Sequence, residues 1–74
     1  MKYEIVVFTK NNRKNFELMR GVSNAVGEMF VATGTRSTPL GYIIYVNGTQ
    51  NNYLQFKRRY FREINNRELR IREV

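Results

Sequence analysis

Between Asn52 and Asn66 the chain runs NYLQFKRRYFREINN, without a glycine or a proline. Wound at 100° per residue, this stretch separates into two faces. Tyr53, Leu54, Phe56, Tyr60, Phe61 and Ile64 fall in one apolar arc, while Arg58, Arg59 and Arg62 fall on the other side with Gln55. Lys57 lies inside the apolar arc, so its ammonium must pass the aromatic rings to reach water. One long helix is therefore expected, with a core face that includes Tyr60 and Phe61. Its outer face is an array of guanidinium groups with no acid between Lys57 and Arg62.

A chain of 74 residues supports one domain, 1–74, with a thin core. Five Phe and five Tyr make it foldable rather than disordered. No apolar run approaches the ~20 residues of a membrane span, and Met1-Lys2 opens no signal-like segment. A cytoplasmic protein with no membrane association is expected, in the host cytoplasm if phage-encoded. Cysteine, histidine and aspartate are absent, and the six acids are Glu4, Glu17, Glu28, Glu63, Glu68 and Glu73. Thiolate chemistry and imidazole catalysis are thereby excluded. The scattered glutamates argue against a metal site, and no cofactor or enzymatic activity is expected. The net charge of +7 instead predicts attraction to polyanions.

Lys2–Thr9 is β-branched and aromatic and reads as an interior strand. Lys10–Asn12 reads as a turn, with Asn11 or Asn12 as N-cap. Arg13–Val26 carries a helical stripe of Leu18, Met19, Val22, Ala25 and Val26, with Phe16 beside it and Gly27 as its stop. Glu28–Thr33 is a second strand, Gly34–Gly41 a loop and Tyr42–Asn47 a third strand. Asn47-Gly48-Thr49 then turns the corner, with Thr49 or Asn51 capping the long helix. Glu68–Val74 closes the chain as a strand, with Leu69 and Ile71 on one side and Arg70 and Arg72 on the other. The resulting order, βαββαβ, is that of an α+β ferredoxin-like fold: a four-stranded antiparallel sheet with two helices on one face. The usual strand order, 4-1-3-2, puts strands one and three at the centre.

Three surfaces then present candidate chemistry. The outer helix face offers Lys57, Arg58, Arg59 and Arg62, with Arg67 just beyond, and guanidinium forks suit phosphate. With Ile5 and Val7 toward the helices, the uncovered sheet face offers Glu4, Val6 and Phe8, flanked by Arg70 and Arg72. Strand three adds either Tyr42 and Ile44 or Ile43 and Tyr45; Tyr45 is taken with Val6 and Phe8 as the candidate set. That face suits base stacking or a second copy of the chain, and a homodimer is expected. The third surface is the Gly34–Gly41 loop, where Arg36 sits among hydroxyl groups.

The element order resembles that of the RNA-recognition motif, which places aromatics on its first and third strands. Gly41-Tyr42-Ile43-Ile44-Tyr45-Val46 keeps the glycine and first aromatic of that family's third-strand pattern. Ile44 stands at the second aromatic position and Asn47 at the third. The resemblance is one of architecture and carries over no RNA-contacting residue. Acylphosphatases share the order, but Lys10–Arg13 lacks the glycines of their phosphate-cradling loop. Small CRISPR nucleases of related fold carry an Asp where this chain has Thr9. No specific family is identified.

The expected function is non-catalytic nucleic-acid binding, RNA ahead of DNA, with Arg58, Arg59, Arg62 and Arg36 capturing backbone phosphate. The alternative is a small phage-type accessory protein. It would bind an acidic protein surface and inhibit or regulate a host or toxin protein such as a nuclease, alone or together with RNA.

Overall fold

The computed structural model describes residues 1–8, 13–39 and 41–74, with 13–15 described by backbone only. The expected turn at Lys10–Asn12 and its Asn caps lie outside the described residues. The order is β1 (Lys2–Phe8), α1 (Arg13–Met29), β2 (Val31–Thr38), β3 (Gly41–Asn47), α2 (Gln50–Arg59), α3 (Phe61–Asn65) and β4 (Leu69–Glu73). The four strands form one antiparallel sheet in the order β2-β3-β1-β4, so the two most apolar strands are central. Among the described residues, no helix is long and apolar enough to cross a membrane.

Strand pleating sorts the side chains. Tyr3, Ile5 and Val7 of β1 lie opposite Val46, Ile44 and Tyr42 of β3, and Ile5 and Val7 lie opposite Ile71 and Leu69 of β4. This face meets Val22, Ala25 and Val26 of α1, Phe56 of α2, and Tyr60 in the buried core. A run of rings links the layers. Tyr3 stacks on Tyr53 with centroids 4.7 Å apart and meets the edge of Phe30 at 6.0 Å. Phe30 meets Phe56 at 5.9 Å, and Phe56 meets Tyr60 at 4.9 Å. Burial, then the charge of Glu73 and the neighbouring Tyr53, raise the Tyr3 phenol above its ordinary value.

Several sequence expectations are corrected by these contacts. Gly27 does not stop α1, which continues to Met29. A helix-interior glycine costs about 1 kcal/mol relative to alanine. The extra turn delivers Phe30 into the core between Tyr3 and Phe56, and burial of a ring that size outweighs the cost. Gly34–Gly41 is not a loop. Gly34–Thr38 belongs to β2, paired residue by residue with β3, and Gly41 opens β3. The link between them is fastened by Gly41 N–H donating to Thr38 Oγ1 and Thr38 Oγ1 donating to the Gly41 carbonyl, each at 3.1 Å.

The long helix is not continuous either. Thr49 caps α2 through a reciprocal capping box with Asn52. At Tyr60 the backbone leaves helical geometry (φ −111°, ψ 27°), and α3 starts afresh. The buried Tyr60 ring packs on Phe56, and its hydroxyl lies beside Gly21 of α1. Beyond that break the helical period of α2 no longer predicts the faces. Phe61, expected in the core, is 65% exposed. Leu54, expected in the apolar arc, is 45% exposed although it lies within α2, ahead of the break. α3 ends in a Schellman arrangement: Arg67 N–H donates to the Ile64 carbonyl (3.1 Å) and Glu68 N–H to that of Glu63 (2.9 Å). This puts Arg67 in the left-handed region at φ 59°, and β4 begins at Leu69 rather than Glu68.

Two stability predictions follow from this geometry. Phe56→Ala is expected to cost about 3–5 kcal/mol in urea unfolding, and Phe61→Ala less than about 0.5 kcal/mol; equal losses would deny the break at Tyr60. Arg67→Gly relieves a left-handed residue and should raise stability by about 1 kcal/mol. A lowered melting temperature would contradict that cap.

Candidate nucleic-acid interface

The sheet face turned away from the helices has no covering element among the described residues. Its middle row reads Arg36, Ile43, Val6, Arg70 from β2 to β4, and the next row Gly34, Tyr45, Glu4, Arg72. Phe8 lies beyond Val6 on β1, opposite Gly41. Of the two options for β3, the register therefore selects Ile43 and Tyr45. Among the described residues the face holds four cations, Lys2, Arg36, Arg70 and Arg72, against the single carboxylate of Glu4.

Arg36 reaches this face because of a β-bulge. Ala32 pairs with Val46, but Gly34 pairs with Tyr45, so Thr33 is an extra residue on β2. Without it Arg36 would lie opposite Tyr42, on the helix side. With it Arg36 lies opposite Ile43. The Thr33 hydroxyl donates to the Tyr45 carbonyl at 3.1 Å, which ties the bulge to β3. The sequence expectation of Arg36 in a loop is thus replaced by Arg36 on an edge strand, across the sheet from Arg70.

Glu4 is only 9% exposed although it lies on the uncovered face. Its Oε1 accepts from Arg72 Nε at 3.1 Å and is 4.0 Å from Arg70 Nη2. Arg72 therefore spends its Nε on the carboxylate and keeps its two Nη groups for other partners. The Arg70 guanidinium lies 5.9 Å from the Phe8 ring centre. Val6 is buried to 5% exposure yet stands outside the core cluster. Its shelter comes from its neighbours on the face, and Ile43, Tyr45 and Phe8 are partly exposed.

Lys57, Arg58, Arg59 and Arg62 form a separate surface on the helix layer. Arg58 projects from α2 opposite the buried Phe56. Arg59 pairs with Glu28 of α1 at 3.5 Å, both side chains well exposed, so this bridge contributes little to stability. Lys57 passes over the Tyr53 ring at 5.2 Å, the route to water expected for it. Arg58 and Arg62 have no acidic partner among the described residues. The two basic surfaces lie on opposite layers, so a short ligand flat on the sheet cannot touch both. Among the described residues no three acidic side chains gather to hold a metal ion.

Compared with family models, curated proteins and solved structures, the chain matches none.

Sequence reasoning placed Glu4 on this face without giving it a role. The available signal was one acid inside an otherwise apolar strand, together with Arg70 and Arg72 two residues apart on the last strand. Lys2 and Ile43 were likewise not singled out. The free guanidinium groups of the helix layer carry no structural load. The double variant Arg58→Gln with Arg62→Gln is expected to melt within a few degrees of the parent. A loss above about 1 kcal/mol would make them structural.

Proposed function

We propose that this chain is a non-catalytic nucleic-acid-binding protein of ferredoxin-like architecture that takes single-stranded RNA across its uncovered sheet face. The strand order β2-β3-β1-β4 is 4-1-3-2 read from the other edge, with α2 and α3 together in the place of the second helix. The observation that carries the functional reading is the composition of that face. An apolar and aromatic strip of Ile43, Val6, Tyr45 and Phe8 runs between a cation on one edge strand and two on the other.

Unpaired bases have apolar faces and a charged backbone, and this surface offers a partner to each. Tyr45 and Phe8 are the two partly exposed rings of this face among the described residues, with Val6 and Ile43 between them, roughly 13 Å apart along the strand direction. That spacing accommodates a short run of splayed bases. Arg36 takes phosphate at one edge, and Arg70 and Arg72 take it at the other. Duplexes present stacked, inaccessible base faces and gain only the phosphate contacts. Arg58 and Arg62 act at a distance, raising the positive potential that draws a polyanion in.

Fluorescence-anisotropy titration of a labelled single-stranded RNA decamer tests this reading. Binding should exceed that of duplex RNA or duplex DNA and fall with salt, with a log–log slope of about −2 to −3 for three or four phosphate contacts. Phe8→Ser with Arg36→Gln should abolish it, and Arg58→Gln with Arg62→Gln should weaken it only modestly. No binding at low salt would overturn the proposal. So would a stable dimer in sedimentation that Phe8→Glu splits, because a second copy would then occupy the face.

A further inference from the structure

Within that RNA-binding reading, on which this inference rests, we infer that Glu4 and Arg72 form a base-reading pair that selects guanine at the position stacked on Tyr45. Tyr45 and Glu4 are directly opposite each other on neighbouring strands, and Arg72 is opposite Glu4 on the far side. A base lying on the Tyr45 ring therefore points one edge at the carboxylate and, beyond it, at the guanidinium.

The Glu4 carboxylate is half used. Oε1 accepts from Arg72 and faces Arg70, while among the described residues no protein group donates to Oε2. Among the described residues, no buried side-chain oxygen or nitrogen lacks a hydrogen bond. Oε2 is therefore not sealed away and can accept from a ligand. An ionised carboxylate can only accept, so it matches a base edge that donates. Guanine offers adjacent N1–H and N2–H donors with the O6 acceptor beside them. Glu4 Oε2 takes the two donors, and one Nη group of Arg72 donates to O6 while the other remains for phosphate. Uracil places a carbonyl on each side of its single N3–H, so a carboxylate meets two lone-pair groups there. Cytosine presents its donor and acceptors in the opposite sense. Adenine has an acceptor where guanine has N1–H.

A solvated ion pair exposes both partners, whereas the Glu4 side chain is only 11% exposed. Here the carboxylate is held nearly buried at the centre of the face, with one oxygen engaged and one left over. Two guanidinium groups offset its charge, so it repels a polyanion less than a lone glutamate does.

The test uses uridine octamers in which one central position is U, C, A or G, titrated against the parent and against Glu4→Gln. The parent should bind the guanine-containing octamer about tenfold or more tightly than the other three. Glu4→Gln swaps the acceptor Oε2 for an amide that also donates. It should bring the four affinities within about twofold of one another. Equal binding of all four by the parent would overturn the guanine assignment and leave RNA binding standing. Absence of binding to every octamer at low salt would overturn both. The parent's own ranking decides the matter even if the variant folds poorly.

Discussion

The ring contacts between Tyr53, Tyr3, Phe30, Phe56 and Tyr60 determine where every other element sits. The five rings come from four parts of the chain: Tyr3 from β1, Phe30 from just after α1, Tyr53 and Phe56 from α2, and Tyr60 from the break after it. Offset and edge-on ring pairs contribute about 0.5–1.5 kcal/mol each beyond area burial, a substantial share of what a domain of this size can spare. The geometry they require is stricter than hydrophobicity alone. Gly48 is one consequence, because a Cβ there would run into the Phe30 ring. The continuation of α1 through Gly27 is another, since only the longer helix brings Phe30 to its partners. The break at Tyr60 is a third.

Because the rings draw all three helices to one side, the other side of the sheet is left bare. Its chemistry then depends on which residues the pleat turns outward. Alternation in β1 and β4 places Val6, Phe8, Arg70 and Arg72 there, and the pairing register brings Ile43 and Tyr45 beside them. On the helix layer, Lys57 and Arg59 lie against the Tyr53 and Tyr60 rings, Arg59 also meets the exposed Glu28, and among the described residues Arg58 and Arg62 have no acidic partner. The guanidinium groups that stand out most in the sequence, Arg58 and Arg62, are thus far from the surface where charge, rings and a shielded carboxylate meet.

Sequence patterning read the central elements well. β1 and β3 carry β-branched residues on both faces and were bounded within a residue or two. The Thr49 cap and the Asn47-Gly48 corner follow from local backbone chemistry. What patterning missed shares a physical reason. β2 is an edge strand with nearly every residue exposed, so no alternation of apolar and polar residues marks it. Its threonines, serine and glycine read as a loop. The break at Tyr60 is set by a ring inserting beside Gly21, a tertiary contact that no helical period encodes. Phe61 was misassigned for the same reason. Glu4 drew no role because its hydrogen-bond partner, Arg72, lies sixty-eight residues away along the chain.

The bulge at Thr33 has a further consequence for the protein's behaviour in a crowded cell. β2 presents an open row of backbone donors and acceptors at the margin of the sheet, over a stretch of eight residues whose only charge is Arg36. Such margins recruit strands from other molecules. An extra residue near one end twists the margin and interrupts its hydrogen-bonding repeat, so a neighbouring strand finds a straight run only from Gly34 onward. The residue that turns Arg36 toward the bare face thus also blunts the edge against self-templated aggregation.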